Sequence, residues 1–443
     1  MCKVNTKELH SRFGLKDLIM FICSLLISVH FTLVGQLFAT EIILIFLLPF
    51  LFLQNRKLLF RYPFNIIITL GFLWLFGQIV TDIVRNSSFY DFLRGWSNIA
   101  FFLMEIASIY LLMGNSSRRL LIFGMGLAFG GILPFFIYPE RIPDGYEFWK
   151  FGVGYSVSLF IALTTQSNFV VRSKFFATYI LLLASGLNFA LEARSLAGIC
   201  FAAAIYTLYQ EGYKLKKPLN FNFNLKARIV SLLIIFMAGV LFLKLYGITV
   251  ETGILGSNAQ EKYTSQSNGM FGVLIGGRQE ILVSAQAILD SPILGHGSWA
   301  KDSKYSGMLQ ELLNLYGYED LRAVDYFEEL DEGLIPTHSF ILGSWVFAGL
   351  LGPVFWFWVL GFCQKMLLLM YKSKSKLVPL VTFLTLNLAW NIFFSPLGGE
   401  ARVNSAYQIA ILMFMYRHLI STSRQKPFLK LGIHGPMKSV KLY

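Results

Sequence analysis

Two arginines and one histidine in this chain are residue types that can act on a diphosphate. Arg194 interrupts an otherwise apolar stretch, Arg278 follows two glycines, and His338 comes just before a long apolar run. Arginine stays charged and can grip phosphate oxygens with two parallel N–H donors, so it stabilises charge on a leaving diphosphate. Histidine can be neutral near pH 7 and can take a proton from an attacking hydroxyl. Such a set needs no metal or other cofactor.

Each of these residues also has a purely structural explanation. Arg194 can pair with the neighbouring Glu192, an auxiliary candidate for the same site, or extend to lipid phosphates. Arg278 can be a solvated loop charge, and His338 can be a polar residue tolerated at an interface. The functional explanation gains weight because the topology derived below puts Arg194, Arg278 and His338 on one side of a membrane.

Three further ionisable residues are weaker candidates. Arg402 offers a third cation for phosphate, but pairing with Glu400 explains it equally well. His296 is a second candidate base, although its flanking glycines favour a turn residue. Glu105 lies near the centre of an apolar run, where an ionisable group is a functional hypothesis by default.

The residues that must position these groups have the composition of a membrane protein. Hydrophobic residues make up 55% of the 443 positions and charged residues 14%, against roughly 25% charged in a soluble domain. Apolar runs are continuous rather than alternating with polar residues, which excludes a β-barrel. We therefore predict an all-α polytopic membrane protein.

Twelve apolar runs are candidate spans, since a bilayer-spanning helix needs about 20 apolar residues. They cover approximately residues 17–35, 38–53, 63–83, 97–113, 120–138, 152–166, 175–190, 195–210, 229–247, 351–370, 377–394 and 404–418. Lysine and arginine concentrate in alternate gaps, which are cytoplasmic by the positive-inside rule. Both termini are then cytoplasmic, and the net charge of +13 reflects topology rather than a nucleic-acid partner.

These spans divide the chain into four parts. Residues 1–247 hold the first nine spans, 248–338 form a large external loop, 339–420 hold the last three spans, and 421–443 form a basic cytoplasmic tail. The loop carries 13 acidic and 5 basic residues. Its apolar spacing predicts short amphipathic helices at 276–289 and 305–316, with a turn at Ser291-Pro292 and a hinge at Gly295–Gly297. A long ordered loop of this kind is usually functional.

The loop motifs resemble those of the bacterial O-antigen ligase and O-antigen polymerase superfamily. The similarity lies in Gly277-Arg278 through Gly297, then His338-Ser339, nine residues, Gly349, two residues and Gly352. The stretch around Arg194 resembles the upstream arginine motif of that family. The likeness spans roughly residues 185–400; family members commonly have His-Asn where this chain has His338-Ser339.

This resemblance implies a GT-C-type inverting glycosyltransferase of the bacterial inner membrane with its active site facing the periplasm. The donor would be a glycan on undecaprenyl diphosphate. Arg194 and Arg278 become the diphosphate ligands and His338 the general base, with no cofactor. Polymerisation onto another lipid-linked glycan is the preferred reaction, with a chain-length regulator protein as a partner. Ligation to lipid A-core and, more distantly, a lipid-linked oligosaccharide flippase or transporter remain alternatives.

Overall fold

The protein, described here by a computed structural model, is a bundle of helices that run back and forth between two ends. The structure describes residues 14–32, 35–137, 147–167, 175–215, 247–253, 278–315, 333–373 and 375–430, with isolated positions 233, 237, 244, 260, 263 and 264. Most of the predicted ninth span, 229–247, and the acidic segment 316–332 lie outside the described residues, as does most of the predicted cytoplasmic tail beyond 430.

The elements follow one another in a simple order. The helices are α1 (Leu15–Leu25), α2 (Ala39–Leu59), α3 (Phe64–Arg85), α4 (Phe89–Met113), α5 (Ser117–Gly130), α6 (Pro134–Ile137), α7 (Gly154–Thr164), α8 (Phe176–Ala190), α9 (Arg194–Leu215), α10 (Glu280–Asp290), α11 (Ser303–Leu315), α12 (Phe340–Ala348), α13 (Leu351–Tyr371), α14 (Val378–Phe394) and α15 (Glu400–Lys430). A π-helical turn, Phe148–Val153, leads into α7. Strands β1 (His30–Thr32) and β2 (Gln36–Phe38) form a hairpin.

The mostly helical fold fits the predicted all-α membrane protein. Within the residues that the structure describes, five helical stretches are long and apolar enough to cross a bilayer, namely Ala39–Leu59, Phe64–Arg85, Phe89–Met113, Ser117–Ile137 and Leu351–Tyr371. Three more are apolar but shorter: Phe148–Thr164, Phe176–Ala190 and Val378–Phe394. Large apolar side chains such as Phe46, Phe50 and Phe72 are exposed, as lipid-facing residues are. These elements do not establish the predicted number of twelve spans.

The first predicted span, residues 17–35, is wrong as a continuous helix. Helix α1 ends at Leu25, a 3-10 turn covers Leu26–Ser28, and the chain then enters the β hairpin. The Ser28 hydroxyl donates to the carbonyl of Gly130, 2.9 Å away, and so ties this turn to the end of α5. The polar residues that follow, His30, Thr32 and Gln36, satisfy their backbone groups across the hairpin instead of within a helix.

The two ends of the bundle differ in what they carry. We call the end at which α3 stops and α4 starts the loop end, because α3 bonds there to the loop that follows α10: the Arg85 guanidinium donates to Ser291 Oγ at 2.7 Å and to the Gly295 carbonyl at 3.0 Å. Both predicted loop helices are present, as α10 and α11. The opposite end carries many of the basic residues, among them Arg56, Lys57, Arg61, Arg118, Arg119 and Lys372.

Helix α12 is a short helix that dips into the bundle from the loop end. Its first residue, Phe340, packs its ring 4.9 Å from that of Trp356, which lies five residues, or about 8 Å, down α13. Its far end returns to the loop end, where the Leu350 N–H donates to the carbonyl of Ile293 at 3.0 Å. His338 therefore precedes the deep end of α12, below the surface of the bundle.

The glycines after His338 are explained by the turn between α12 and α13. Gly349 has φ +60°, a left-handed conformation that favours glycine, and an added Cβ would collide with the carbonyl of Ile293. An added Cβ at Gly352 would collide with the carbonyl of Ser344. The spacing of His338, Gly349 and Gly352 thus reflects one tight helical hairpin that sets the depth of the histidine.

Candidate functional site

A cavity of about 380 Å³ lies among α3, α4, α10 and α12 and is the centre of the candidate site. Its volume is in the range of small-ligand pockets, about 300 to 1,000 Å³. The segments 334–339 and 396–398 complete its walls, and Trp74 and Phe340 belong to the aromatic cluster that underlies it. Among the described lining residues, Glu280 and His338 are the ionisable ones.

His338 lines this cavity because its segment is anchored on both sides. Before it, the Ser284 hydroxyl of α10 donates to the carbonyl of Pro336 at 2.7 Å. After it, the Ser339 hydroxyl donates to the carbonyl of Ile392 at 2.9 Å and accepts from the N–H of Leu342, which caps α12. The serine in the His-Ser motif thus fixes the start of α12 and, with it, the place of the histidine.

Arg278 lies just before α10 and stacks on the loop end of α14. Its guanidinium carbon is 5.1 Å from the ring centre of Trp390 and 4.7 Å from that of Phe394. It forms no ion pair with any residue that the structure describes. Burial lowers the pKa of the Arg278 guanidinium, Glu280 raises it, and Arg194 lowers it again. Arg278 is therefore a half-buried cation with another cation beside it.

Arg194 begins α9 directly after a tight turn. Glu192 in this turn has φ +57°, and the N–H of Ala193 donates to the carbonyl of Asn188 at 2.9 Å. The carboxylate of Glu192 forms no ion pair with any described residue. Pairing with Glu192 therefore does not explain Arg194. Glu192 also lies outside the described cavity lining.

Glu280 is related to two of the three residues singled out from the sequence, because it affects the charge of Arg278 and lines the cavity together with His338. Arg194 and Arg278 are close enough to repel each other, Glu280 is close to Arg278, and Glu280 lines the cavity together with His338. Neither arginine belongs to the described cavity lining, but two neighbouring cations favour an anion near them, and the Glu280 carboxylate offsets part of their charge.

Glu280 is a site residue that the sequence did not single out. Its side chain is buried, at 6% exposure, although it lies in the first turn of α10. An acidic residue in the first turn of a helix is ordinary, because it favours the helix dipole, so nothing in the sequence marks it. Only its position in the cavity beside His338 identifies it.

Arg402 does not act as a third phosphate ligand beside the cavity, and its expected pairing with Glu400 is wrong. Arg402 is only 6% exposed, and its Nη2 lies 2.6 Å from Oε1 of the fully buried Glu41. Its Nη1 donates to Oδ1 of Asn98 at 2.9 Å, and Asn98 donates in turn to the carbonyl of Leu397 at 3.1 Å. Since Asn98 and Leu397 line the cavity, Arg402 positions a wall residue instead.

His296 lies away from the described cavity lining and has a structural role, which agrees with the turn interpretation. Its ring Nε2 donates to the carbonyl of Ala287 at 2.8 Å, and the ring packs edge-on to Tyr305. Gly295 and Gly297 on either side have φ of +79° and +95°. The predicted hinge at these glycines is therefore a fixed turn beneath α10.

The wall formed by α3, α4 and Trp299 contains further polar residues that the sequence did not reveal. Asp82, buried at 3% exposure, holds Ser298, and Gln78 donates to Ser298 Oγ at 2.9 Å. The guanidinium of Arg94 lies 4.5 Å over the ring of Trp299. The two residues of each of these contacts are distant in the sequence, so no local sequence pattern predicts this wall.

The chain has no significant match among protein family models, curated proteins or solved structures.

Proposed function

We propose that this protein is a membrane glycosyltransferase that moves a glycan from undecaprenyl diphosphate to a sugar hydroxyl. The observation that carries the proposal is Arg278, a half-buried guanidinium without an ion pair among the described residues and next to Arg194. Their charges fit a diphosphate, and the cavity lined by Glu280, two residues after Arg278, also contains His338, the proposed base.

In the proposed reaction the acceptor hydroxyl attacks the anomeric carbon of the donor sugar. Its proton passes to His338, the new C–O bond forms, and the bond between the anomeric carbon and the phosphate oxygen breaks with inversion. The electron pair of that bond stays on the diphosphate, whose added charge Arg194 and Arg278 stabilise. The buried Glu280 lines the same cavity as His338, and its carboxylate would stabilise the protonated histidine.

The distribution of charge supports an active site on the periplasmic side of a bacterial inner membrane. Basic residues at the end opposite the cavity, such as Arg56, Arg61 and Lys372, match the cytoplasmic side by the positive-inside rule. The loop end, with its cavity, then faces outward. Undecaprenyl diphosphate reaches that side with its glycan attached, so donor and site share a compartment.

Polymerisation of a surface polysaccharide is the reaction we favour. The acceptor would be a second lipid-linked repeat unit, and a chain-length regulator protein is an expected partner. Ligation to lipid A-core uses the same donor chemistry and differs in the acceptor alone.

A lipid-linked oligosaccharide flippase is the second candidate, because one buried charge cluster favours it. Glu41, Glu105 and Arg402 lie together with exposures of 0%, 0% and 6%. Ionisable groups buried within membrane helices are common along transport pathways. The same cluster also positions Asn98 in the cavity wall, which suits the transferase equally.

A deletion in the bacterial host distinguishes these functions by the glycan that accumulates. A polymerase predicts single repeat units on lipid A-core, and a ligase predicts long undecaprenyl-linked glycan with no chain on lipid A-core. A flippase predicts single lipid-linked units that an enzyme added outside the membrane cannot reach. Restoration by wild type and by His296→Ala, but not by His338→Ala, supports the transferase. An unchanged glycan pattern in the deletion strain contradicts it.

A further inference from the structure

Trp299 stands in the cavity wall with an unfavourable backbone conformation. Its φ is +47°, in the left-handed region that bulky side chains rarely adopt. Such strain costs free energy and persists only where the surroundings impose it, most often at ligand sites. The same residue lines the cavity that holds His338.

The surroundings of Trp299 impose this conformation through a set of buried hydrogen bonds. Asp82 accepts from the N–H of Ser298 at 2.6 Å and from its hydroxyl at 2.7 Å. Gln78 adds a bond to the same hydroxyl, and the N–H of Gly297 donates to the carbonyl of Phe347 at 3.2 Å. The backbone before Trp299 is therefore fixed by α3 and α12.

The ring of Trp299 is held as firmly as its backbone. The Arg94 guanidinium stacks 4.5 Å from its centre, and the Phe347 ring lies nearly parallel at 6.2 Å. No described residue accepts a hydrogen bond from its indole N–H. A rigidly held indole with a spare N–H donor combines apolar surface with a hydrogen-bond donor, which suits a sugar ring with its C–H groups and hydroxyls.

Two side-chain amides in the same wall, those of Asn98 and Gln78, have polar atoms that are not used in hydrogen bonds to described residues. Asn98 uses its oxygen for Arg402 and one amide N–H for Leu397, so a second N–H is left. Gln78 donates to Ser298 and Phe347, and its carbonyl oxygen receives no hydrogen bond from a described residue. A spare donor and a spare acceptor suit the hydroxyls of a neutral sugar.

We infer that Trp299, Asn98 and Gln78 form the subsite for the acceptor sugar, and that its ligand is a neutral sugar ring. This inference rests on the proposed function, because it assigns one of the two substrates of that reaction. In an inverting displacement the hydroxyl attacks opposite the leaving diphosphate. Arg278 stacks on α14, whereas Asn98 and Gln78 belong to α4 and α3, and α12 packs against both α14 and α3. The acceptor wall is thus separate from the diphosphate ligands.

The test uses the repeat-unit oligosaccharide that mild acid releases from the lipid-linked material of a host lacking this chain. This probe keeps the sugars but has no diphosphate. Its binding to the purified full-length protein is followed by saturation-transfer NMR, for wild type and for Trp299→Asn. Asparagine tolerates the left-handed backbone, so the loop keeps its path. Trp345→Asn is the matched control, since the Trp345 indole donates to the carbonyl of Pro292 and lies outside the described lining.

We expect Trp299→Asn to weaken binding of the oligosaccharide about tenfold or more, as losing a stacked aromatic anchor does. Trp345→Asn should bind it as wild type does. Equal binding by Trp299→Asn and wild type would overturn the inference, and so would the absence of binding to wild type. Glycan transfer is measured on the same samples: wild type that binds the oligosaccharide but transfers nothing contradicts the proposed function and leaves the subsite intact.

Discussion

Asp82 and Ser298, 216 residues apart in the chain, form a paired hydrogen bond in which one carboxylate accepts from both the backbone N–H and the hydroxyl of the serine. The same carboxylate accepts from Ser87 Oγ at 2.8 Å and from the indole N–H of Trp96 at 2.7 Å. Asp82 thus joins the end of α3, the start of α4 and the loop after α10. This joint forms one wall of the cavity.

Asp82→Asn should destabilise the protein. Four donors converge on the two carboxylate oxygens, and an amide turns its own N–H groups toward some of them, which leaves buried donors unsatisfied. We expect a loss of about 1–3 kcal/mol in the free energy of unfolding. Denaturant unfolding in detergent measures it, with the exposed Asp302→Asn as control. Equal unfolding of both variants would contradict this role.

The buried ion pair between Arg402 and Glu41 should show strong coupling. Removing one partner leaves the other charge buried, so Arg402→Met and Glu41→Gln should each cost about 3–5 kcal/mol. The double variant should cost clearly less than the sum of the two. Unfolding measurements on all four proteins test this, and additive losses would show that the two side chains act independently.

Patterns among neighbouring residues in the sequence predict the helices and turns that those residues form. The apolar spacing predicts α10 and α11, and the glycines at 295 and 297 predict a turn. The motifs point to Arg194, Arg278 and His338, of which His338 lines the described cavity. Partners that are far apart in the chain leave no such pattern.

The sequence-based predictions that were wrong also failed because the deciding partners are distant in the chain. The pairing of Arg402 with Glu400 is suggested by sequence proximity, but α2 brings Glu41 to 2.6 Å. The hairpin after α1 looks apolar enough to be helix, and only its tertiary place beside α5 favours strands. The strained backbone of Trp299 depends on Asp82, which is 216 residues from Ser298.

Arg278→Ala should weaken binding of undecaprenyl diphosphate about tenfold or more, whereas Arg278→Lys should retain part of the affinity because the charge stays and the planar fork is lost. Binding to the protein in nanodiscs measures this. Without ligand, the unfolding of Arg278→Ala should change little, since relief of charge burial and of repulsion from Arg194 offsets the lost attraction to Glu280 and the lost stacking on Trp390 and Phe394. Arg56→Ala, at the opposite end, is the control. Unchanged affinity in Arg278→Ala would exclude the diphosphate role.

The link between α10 and α11 should weaken in acid. Hydrogen bonds from Lys304, then Tyr305 and Gln286, lower the pKa of Asp290 to about 2, below the ordinary value of about 3.9. A depressed pKa stabilises the fold above the unfolded value and loses that effect as the pH falls through the folded value. The Tm difference between wild type and Asp290→Asn should therefore be constant above about pH 5 and shrink toward pH 2. A difference independent of pH would refute this link.

The most direct test of the account compares two histidines in one assay. The purified protein is incubated with lipid-linked repeat units from a host that lacks it, and glycan transfer is followed for wild type, His338→Ala and His296→Ala. We expect normal transfer by His296→Ala and a loss of about 10²–10⁴-fold for His338→Ala, as removal of a general base produces. Transfer by His338→Ala at the wild-type rate would contradict it.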